Sequence, residues 1–186
     1  MSERDVSVVI PTAASEREPR TLASVPAGVE TVVVSEGNRA AARNIGARRT
    51  SGRVLVFCDD DIAFTQSLFR EWVESAEPGV VAGLGDFDFG LLLTRFLVVT
   101  RADFERLGGF DERLNHMEDT EFCLNALAHG VDLRTIPRET VHHEPHESAG
   151  QGRWPTLRNT LYLCARYPRY TPRLLRGLFG PSGGEY

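Results

Sequence analysis

Apolar and polar positions alternate along the chain in short, ordered blocks. Three β-branched runs come early: "VSVVI" (6–10), "ETVVV" (30–34) and "RVLVF" (53–57). Each has the length and residue preference of a strand. Between the second and third lies "NRAAARNIGARR", alanine-rich and with Asn38 placed to cap it, which predicts a helix. Strand, helix and strand in about 30 residues make a βαβ unit, so these strands are predicted to be parallel, with helices on both faces of the sheet. The link between the first two strands, "PTAASEREPRTLASVPAG", has room for only a short helix.

Farther on, residues 65–76 are predicted as an amphipathic helix, "VVAGL" (80–84) as a short strand and "LLLTRFLVVT" (91–100) as a longer one. Thr100 can cap a helix, "RADFERLGG", closed by glycine. A second helix, "EDTEFCLNALAHG", ends at Gly130 and leads into the strand "VDLRTI" (131–136). The expected architecture is one α/β domain over residues 1–150. A tail of different character, 151–186, packs on it and ends in a disordered "GPSGGEY".

Composition narrows the function classes. With 186 residues the chain is long enough for one sizeable core and short for two. A formal charge of -5 argues against nucleic acid as a partner of the whole surface. Every one of the 21 basic residues is arginine, which removes mechanisms that need an active-site lysine. Cys58, Cys123 and Cys164 sit among apolar neighbours without ligand spacing, as reduced core residues of a cytoplasmic protein do. The opening "MSERDVSVVI" is not a signal peptide, and "FGLLLTRFLVV" is too short to span a bilayer.

The candidate chemistry begins where "RVLVF" ends, in Asp59, Asp60 and Asp61. Ligand sites of open α/β sheets lie beyond the carboxyl ends of the parallel strands, and three carboxylates there call for a cation. Hard oxygen ligands suit Mg2+ or Mn2+, which take one or two protein carboxylates together with substrate phosphates. The competing reading is a solvated acidic turn before a helix.

The surroundings of the triplet resemble a known family. Ala42-Arg43-Asn44-Ile45-Gly46 followed by "GRVLVFCDDD" resembles the block that precedes the Asp-x-Asp motif in inverting glycosyltransferases of family 2, which have the GT-A fold. "VVTRADFERLGGFDERLNHMEDTEF" resembles their second block, and "VSVVIPT" their first strand. The resemblance covers most of residues 6–165 and implies a GT-A, Rossmann-like, mixed and mostly parallel sheet flanked by helices. It also implies a nucleoside-diphosphate sugar as donor and a glycan or lipid-linked acceptor.

By that resemblance Asp59 faces the ribose, Asp61 holds the cation (Mn2+ or Mg2+), and Asp60 is the variable middle position. Pro11 and Thr12 lie near the donor base. Glu36 is the one acidic residue after the second strand available to contact it. Arg43 is expected at the diphosphate, with Arg39 one turn earlier as a weaker candidate. Asp119 is the expected general base and Glu118 orients it. Asp119 precedes Phe122 and Cys123 by three and four residues, so it shares their inward face, and a helix N-terminus stabilises its anion. Helix capping is its alternative role. Phe110, Asp111 and Glu112 are expected on the acceptor side. Of His142, His143 and His146, His143 matches the family's metal-side histidine best, with His142 as the fallback.

The tail from Arg153 to Arg176 has six arginines, no acidic residue, and Trp154, Tyr162, Tyr167 and Tyr170 interleaved. Such a segment suits peripheral contact with an anionic membrane at its inner face, or else packs on the sheet with an exposed basic face. Two rival functions remain at this stage. One is a non-catalytic GT-A-like sugar-nucleotide-binding subunit. The other is a haloacid-dehalogenase-like phosphatase suggested by "DDDIAFT", although Ala63 stands where those enzymes have Thr or Val.

Overall fold

The β-branched runs become strands at the predicted places. The computed structural model describes residues 5–13, 18–85, 90–143 and 153–179. In chain order the elements are β1 (Val6–Pro11), β2 (Glu30–Val34), α1 (Arg39–Arg49), β3 (Val54–Cys58), β4 (Ile62–Ala63), α2 (Gln66–Glu74) and β5 (Val80–Gly85). They continue as β6 (Leu92–Thr100), α3 (Arg101–Leu107), α4 (Glu118–Ala128), β7 (Asp132–Ile136), β8 (His142–His143), α5 (Arg153–Arg166) and α6 (Thr171–Phe179). Six strands form one mixed sheet in the order β2-β1-β3-β6-β5-β7. β1 runs parallel to β2 and β3, and β5 parallel to β7, while β6 is antiparallel to both of its neighbours. β4 and β8 make a separate two-stranded ribbon.

Alternation along the strands divides the core between the two faces of the sheet. Val9, Leu55, Phe57, Leu97 and Val99 pack with residues of α1, α3, α4 and α5 on one face. Val8, Ile10, Val54, Val56 and Val98 pack with Leu68, Phe69 and Val73 of α2 on the other. Leu163, Tyr167 and Leu174 of the tail belong to the first of these clusters. Cys58 and Cys123 are buried free thiols, and Cys164 is partly buried.

The caps predicted from single residues form. Asn38 Oδ1 accepts from the Ala41 amide at 2.9 Å, and Thr100 Oγ1 from the Asp103 amide at 3.2 Å. α3 closes on Gly108 at φ 82°, a left-handed conformation that glycine adopts without a Cβ clash. Among the described residues of the crossover from β1 to β2 the helical element is a 3-10 turn, Arg20–Ser24, in keeping with the short helix its length allows.

α1 lies unusually close to β1. A Cβ at Gly46 would fall 2.2 Å from Val9 Cγ1, on a stiff β-branched side chain in a central strand. Alanine would gain about 1 kcal/mol of helix propensity there, and the overlap would cost more. Gly46→Ala is therefore expected to lower stability by a net ~1–3 kcal/mol in chemical denaturation. A stabilised variant would mean that α1 can move away from the sheet.

Candidate active site

The carboxyl ends of β1 and β3, the second turn of α1 and the first turn of α4 converge. Arg43 joins them. Its side chain is 1% exposed, and its two terminal nitrogens part company: Nη2 donates to Asp59 Oδ1 at 2.8 Å and Nη1 to Glu118 Oε1 at 3.0 Å. The two carboxylates come from segments far apart in sequence and are themselves 19% and 6% exposed. The guanidinium carbon lies 5.4 Å from the Phe110 ring centroid, a cation–π arrangement. Nε is buried and has no hydrogen-bond partner among the described residues. Burial opposes the positive charge, but Asp59, Glu118 and Asp119 outweigh it, and the pKa of Arg43 is raised.

Asn44 makes the second tie. Its amide donates to the Phe110 carbonyl at 2.9 Å and accepts from the Phe110 N–H at 2.9 Å, so the side chain pairs with that residue's backbone in both directions. Gly109 must be glycine here for two reasons: its φ is 72°, and a Cβ would lie 2.6 Å from Asn44 Oδ1. Asn38 adds a bond to the Glu112 carbonyl at 2.7 Å. The "NRAAARN" helix thus grips the "GGFDE" loop along its length.

Arg43 was expected at a diphosphate and is instead enclosed between two carboxylates. Arg39, one turn earlier, is exposed and contributes to lowering the pKa of His116, behind the larger effect of burial. Asp60, the middle carboxylate, accepts from Thr12 Oγ1 at 2.5 Å, while the Thr12 amide bonds Val34 O at 2.9 Å. Pro11 is buried at the end of β1. Glu36 lies on the surface and pairs with Arg49 at 2.9 Å. Phe110 is in the core, with its ring 4.6 Å from Phe122 and 5.2 Å from Phe57. Asp111 is held by Arg113 and accepts from the Tyr162 hydroxyl at 2.7 Å. Chiefly through Arg113, these bonds bring its pKa down to about 2.

The ribbon of β4 and β8 sets the third carboxylate. Ile62 pairs with His143 and Ala63 with His142, which brings His143 Nε2 to 3.4 Å from Asp61 Oδ2. His142 occupies an exposed position, and His146 lies outside the described residues. Among the described residues no group of three or more His, Cys, Asp or Glu side chains gathers in a metal-binding arrangement. A carboxylate oxygen and an imidazole nitrogen at this separation still fit Mn2+ or Mg2+. Ligands at about 2.1 Å in octahedral geometry stand roughly 3 Å apart, and such ions commonly take the rest of their shell from water and phosphate.

Two positioning groups were not foreseen. Thr21, fully buried in the first crossover, approaches the Asp59 carbonyl at 2.6 Å and the Ile62 carbonyl at 2.9 Å with its Oγ1, which also accepts from the Ile62 amide at 3.2 Å. It fixes the turn that displays the three aspartates. At the other side, Met117 precedes α4 with φ 67°, the one positive φ outside glycine among the described residues. α5 supports it: Asn159 Nδ2 donates to the His116 carbonyl at 2.9 Å, and Thr160 Oγ1 lies 3.8 Å from Met117 Sδ. Asp119 follows, half-buried, with Oδ1 accepting from the Thr120 amide at 2.7 Å. A lone threonine in a loop and two polar residues in a basic tail carry no local signal of such roles.

A cavity of about 580 Å³ opens elsewhere, between α1, α3 and α4, with Arg48, Gly108, Glu112, Glu121 and Arg166 in its lining. None of Asp59, Asp60, Asp61, Asp119 or His143 borders it.

The model of the family described as glycosyl transferase family 2 matches residues 20–125. The chain belongs to that family. The matched span takes in Arg43, Asp59 to Asp61, Glu118 and Asp119, whereas Pro11, Thr12 and His143 lie outside it. As a family 2 glycosyltransferase it also shares its fold with solved structures of low identity. A mannosyltransferase, PcManGT from Pyrobaculum calidifontis, in complex with GDP-Man and Mn2+, superposes with a TM-score of 0.61 at 15% identity, over 98% of this chain and 76% of that one. S. aureus TarS 1-349 gives a TM-score of 0.66 at 13% identity, over 95% and 72%. A Drosophila galactosyltransferase 7 mutant in complex with manganese, UDP-Gal and xylobiose gives 0.59 at 16%, over 82% and 79%. Comparison with curated proteins finds no match. The phosphatase reading of "DDDIAFT" gives way to this family.

Removing the guanidinium strands one buried and one partly buried carboxylate. Arg43→Met is expected to destabilise the enzyme by about 3–5 kcal/mol. Arg43→Lys should recover only part of that, because one ammonium cannot fork between two acids. Urea denaturation measures both; a loss under ~1 kcal/mol for the methionine variant would refute the tie.

Proposed function

We propose that the chain transfers a sugar from a nucleoside-diphosphate sugar to an acceptor hydroxyl or lipid phosphate, with inversion and with a divalent cation. The observation that supports this most is the bridge Asp59–Arg43–Glu118. It fastens the carboxylate turn of β3 to the first turn of α4, so a donor held by the first and a base carried by the second face one another across a fixed distance.

In this reading Asp59 takes the donor ribose, and Pro11, Thr12 and Glu36 lie toward the base. Asp61 and His143 would hold Mn2+ or Mg2+, which when bound would supply positive charge near the diphosphate. Arg43, being enclosed, acts by orienting Asp59 and Glu118 in place of the phosphate contact first assigned to it. Asp119 accepts the proton of the acceptor hydroxyl as its oxygen bonds to the anomeric carbon. The bond from that carbon to the diphosphate oxygen breaks on the opposite face, and the nucleoside diphosphate leaves with the electron pair. The neighbouring structures with GDP-Man and with UDP-GlcNAc or UDP are consistent with either nucleotide.

A thermal-shift screen of UDP- and GDP-sugars with Mn2+, followed by turnover assays, tests these roles together. Asp119→Asn should keep the donor-dependent shift and lose about 10²–10⁴-fold in rate. Asp61→Asn should lose the Mn2+-dependent shift, while Asp60→Asn, which can still accept from Thr12, should keep it. Native turnover in Asp119→Asn would remove the base. Equal damage at Asp60 and Asp61 would overturn the division among the three aspartates.

A further inference from the structure

Charge is unevenly divided along this chain. Residues 153–179 contain six arginines and no carboxylate, a formal +6, while the remainder carries -11 within the total of -5. The structure places part of the positive charge around exposed apolar side chains. On α5, Trp154, Arg158, Leu161 and Ala165 are spaced i, i+4, i+7 and i+11, which puts them on one stripe of the helix. All four are exposed; Trp154 is 80% and Leu161 60% accessible, the two most exposed of the large apolar residues described.

The opposite face of α5 is spoken for, with Asn159 on His116, Thr160 at Met117 and Leu163 in the core. Arg169 and Arg176, in the following turn and on α6, are exposed, and so is Leu175. Among the described residues none of Arg158, Arg169 and Arg176 forms an ion pair with a carboxylate. Arg166 is different: it is committed to Glu121 at 3.3 Å.

We propose that this stripe of α5, with the exposed arginines that follow it, docks on the surface of an anionic lipid bilayer. An interfacial helix buries tryptophan and leucine at the headgroup boundary while arginines meet lipid phosphates and carboxylates. No helix among the described residues is long and apolar enough to cross a membrane, so this contact lies in the interface plane. The uneven charge orients the approach, since the acidic remainder is repelled from the surface that attracts the tail.

Through its opposite face the same helix holds the backbone just before Glu118 and Asp119. Docking therefore brings the α4 end of the site toward the bilayer, where an acceptor carried on a lipid is presented. This last step rests on the transferase function proposed above; the docking itself does not.

Co-sedimentation of the full chain with vesicles tests it, using mixed phosphatidylcholine and phosphatidylserine against phosphatidylcholine alone. The chain should pellet with the anionic vesicles only, and less so as salt rises. The double variant W154S/L161S should lose at least roughly tenfold in partition. Reversal of Arg158 and Arg176 to glutamate should lose roughly fivefold or more per residue. All these positions are exposed, and unchanged melting curves will certify the fold. Absence of pelleting, or equal pelleting of the variants, overturns the proposal. A Trp154-dependent dimer without vesicle binding would assign the face to a second copy, and retention of single-stranded RNA in its place would assign it to nucleic acid. Either result overturns it too. No donor enters this assay, so its failure leaves the transferase function standing, and a failed donor screen leaves docking untouched.

Discussion

A buried guanidinium shared by two acids from distant segments is the interaction on which the rest of this structure depends. Arg43 has almost no contact with water, so its charge is tolerated only because Asp59 and Glu118 supply opposite charge at hydrogen-bond distance. The dependence is mutual, since loss of the arginine would leave both carboxylates without the partner that bonds them. Geometry follows from it. α1 must press closely on β1, which Gly46 permits, and α4 must begin where Glu118 reaches inward. Met117 adopts a left-handed conformation to make that start possible, and α5 packs over the turn.

Around that bridge the remaining carboxylates are held by smaller, separate devices. Thr21 pins the turn after β3, Thr12 takes Asp60, and the two-residue ribbon of β4 and β8 sets His143 beside Asp61. Each aspartate of the triplet therefore has a different neighbour: an arginine, a threonine and a histidine. That separation answers the electrostatic difficulty of three adjacent acids at a strand end without requiring them to share one cation. It also gives a physical meaning to the two sequence blocks of family 2, because the "ARNIG" helix and the "GGFDE…ED" segment bond to one another directly through Arg43 and Asn44.

Much of the fold was legible because it rests on local signals. Strand runs, the Asn38 and Thr100 caps and the Gly108 stop each depend on a few adjacent residues, and periodicity exposes them. A mixed sheet was expected, but which strand runs antiparallel was not, since strand direction is decided by how the chain returns and not by its composition. The candidate site was sought at the end of β3 from the general position of ligands in α/β sheets. The partners within it were harder. Arg43 looked like a phosphate ligand because an arginine on a helix beside an Asp-x-Asp stretch has the right chemistry for one, and sequence does not reveal that the side chain is enclosed. Thr21 and Asn159 act through long-range bonds, across 38 and 43 residues, that no local pattern encodes.

The bridge itself can be tested by a double-mutant cycle on Asp59→Asn and Glu118→Gln, followed by urea unfolding, in the native background and again with Arg43→Met. If Arg43 couples the two halves of the site, the single changes will fail to add in the native background, by about 0.5–3 kcal/mol. The discrepancy will vanish once the arginine is gone. Additive losses in the native background, or a discrepancy that survives Arg43→Met, would contradict the coupling.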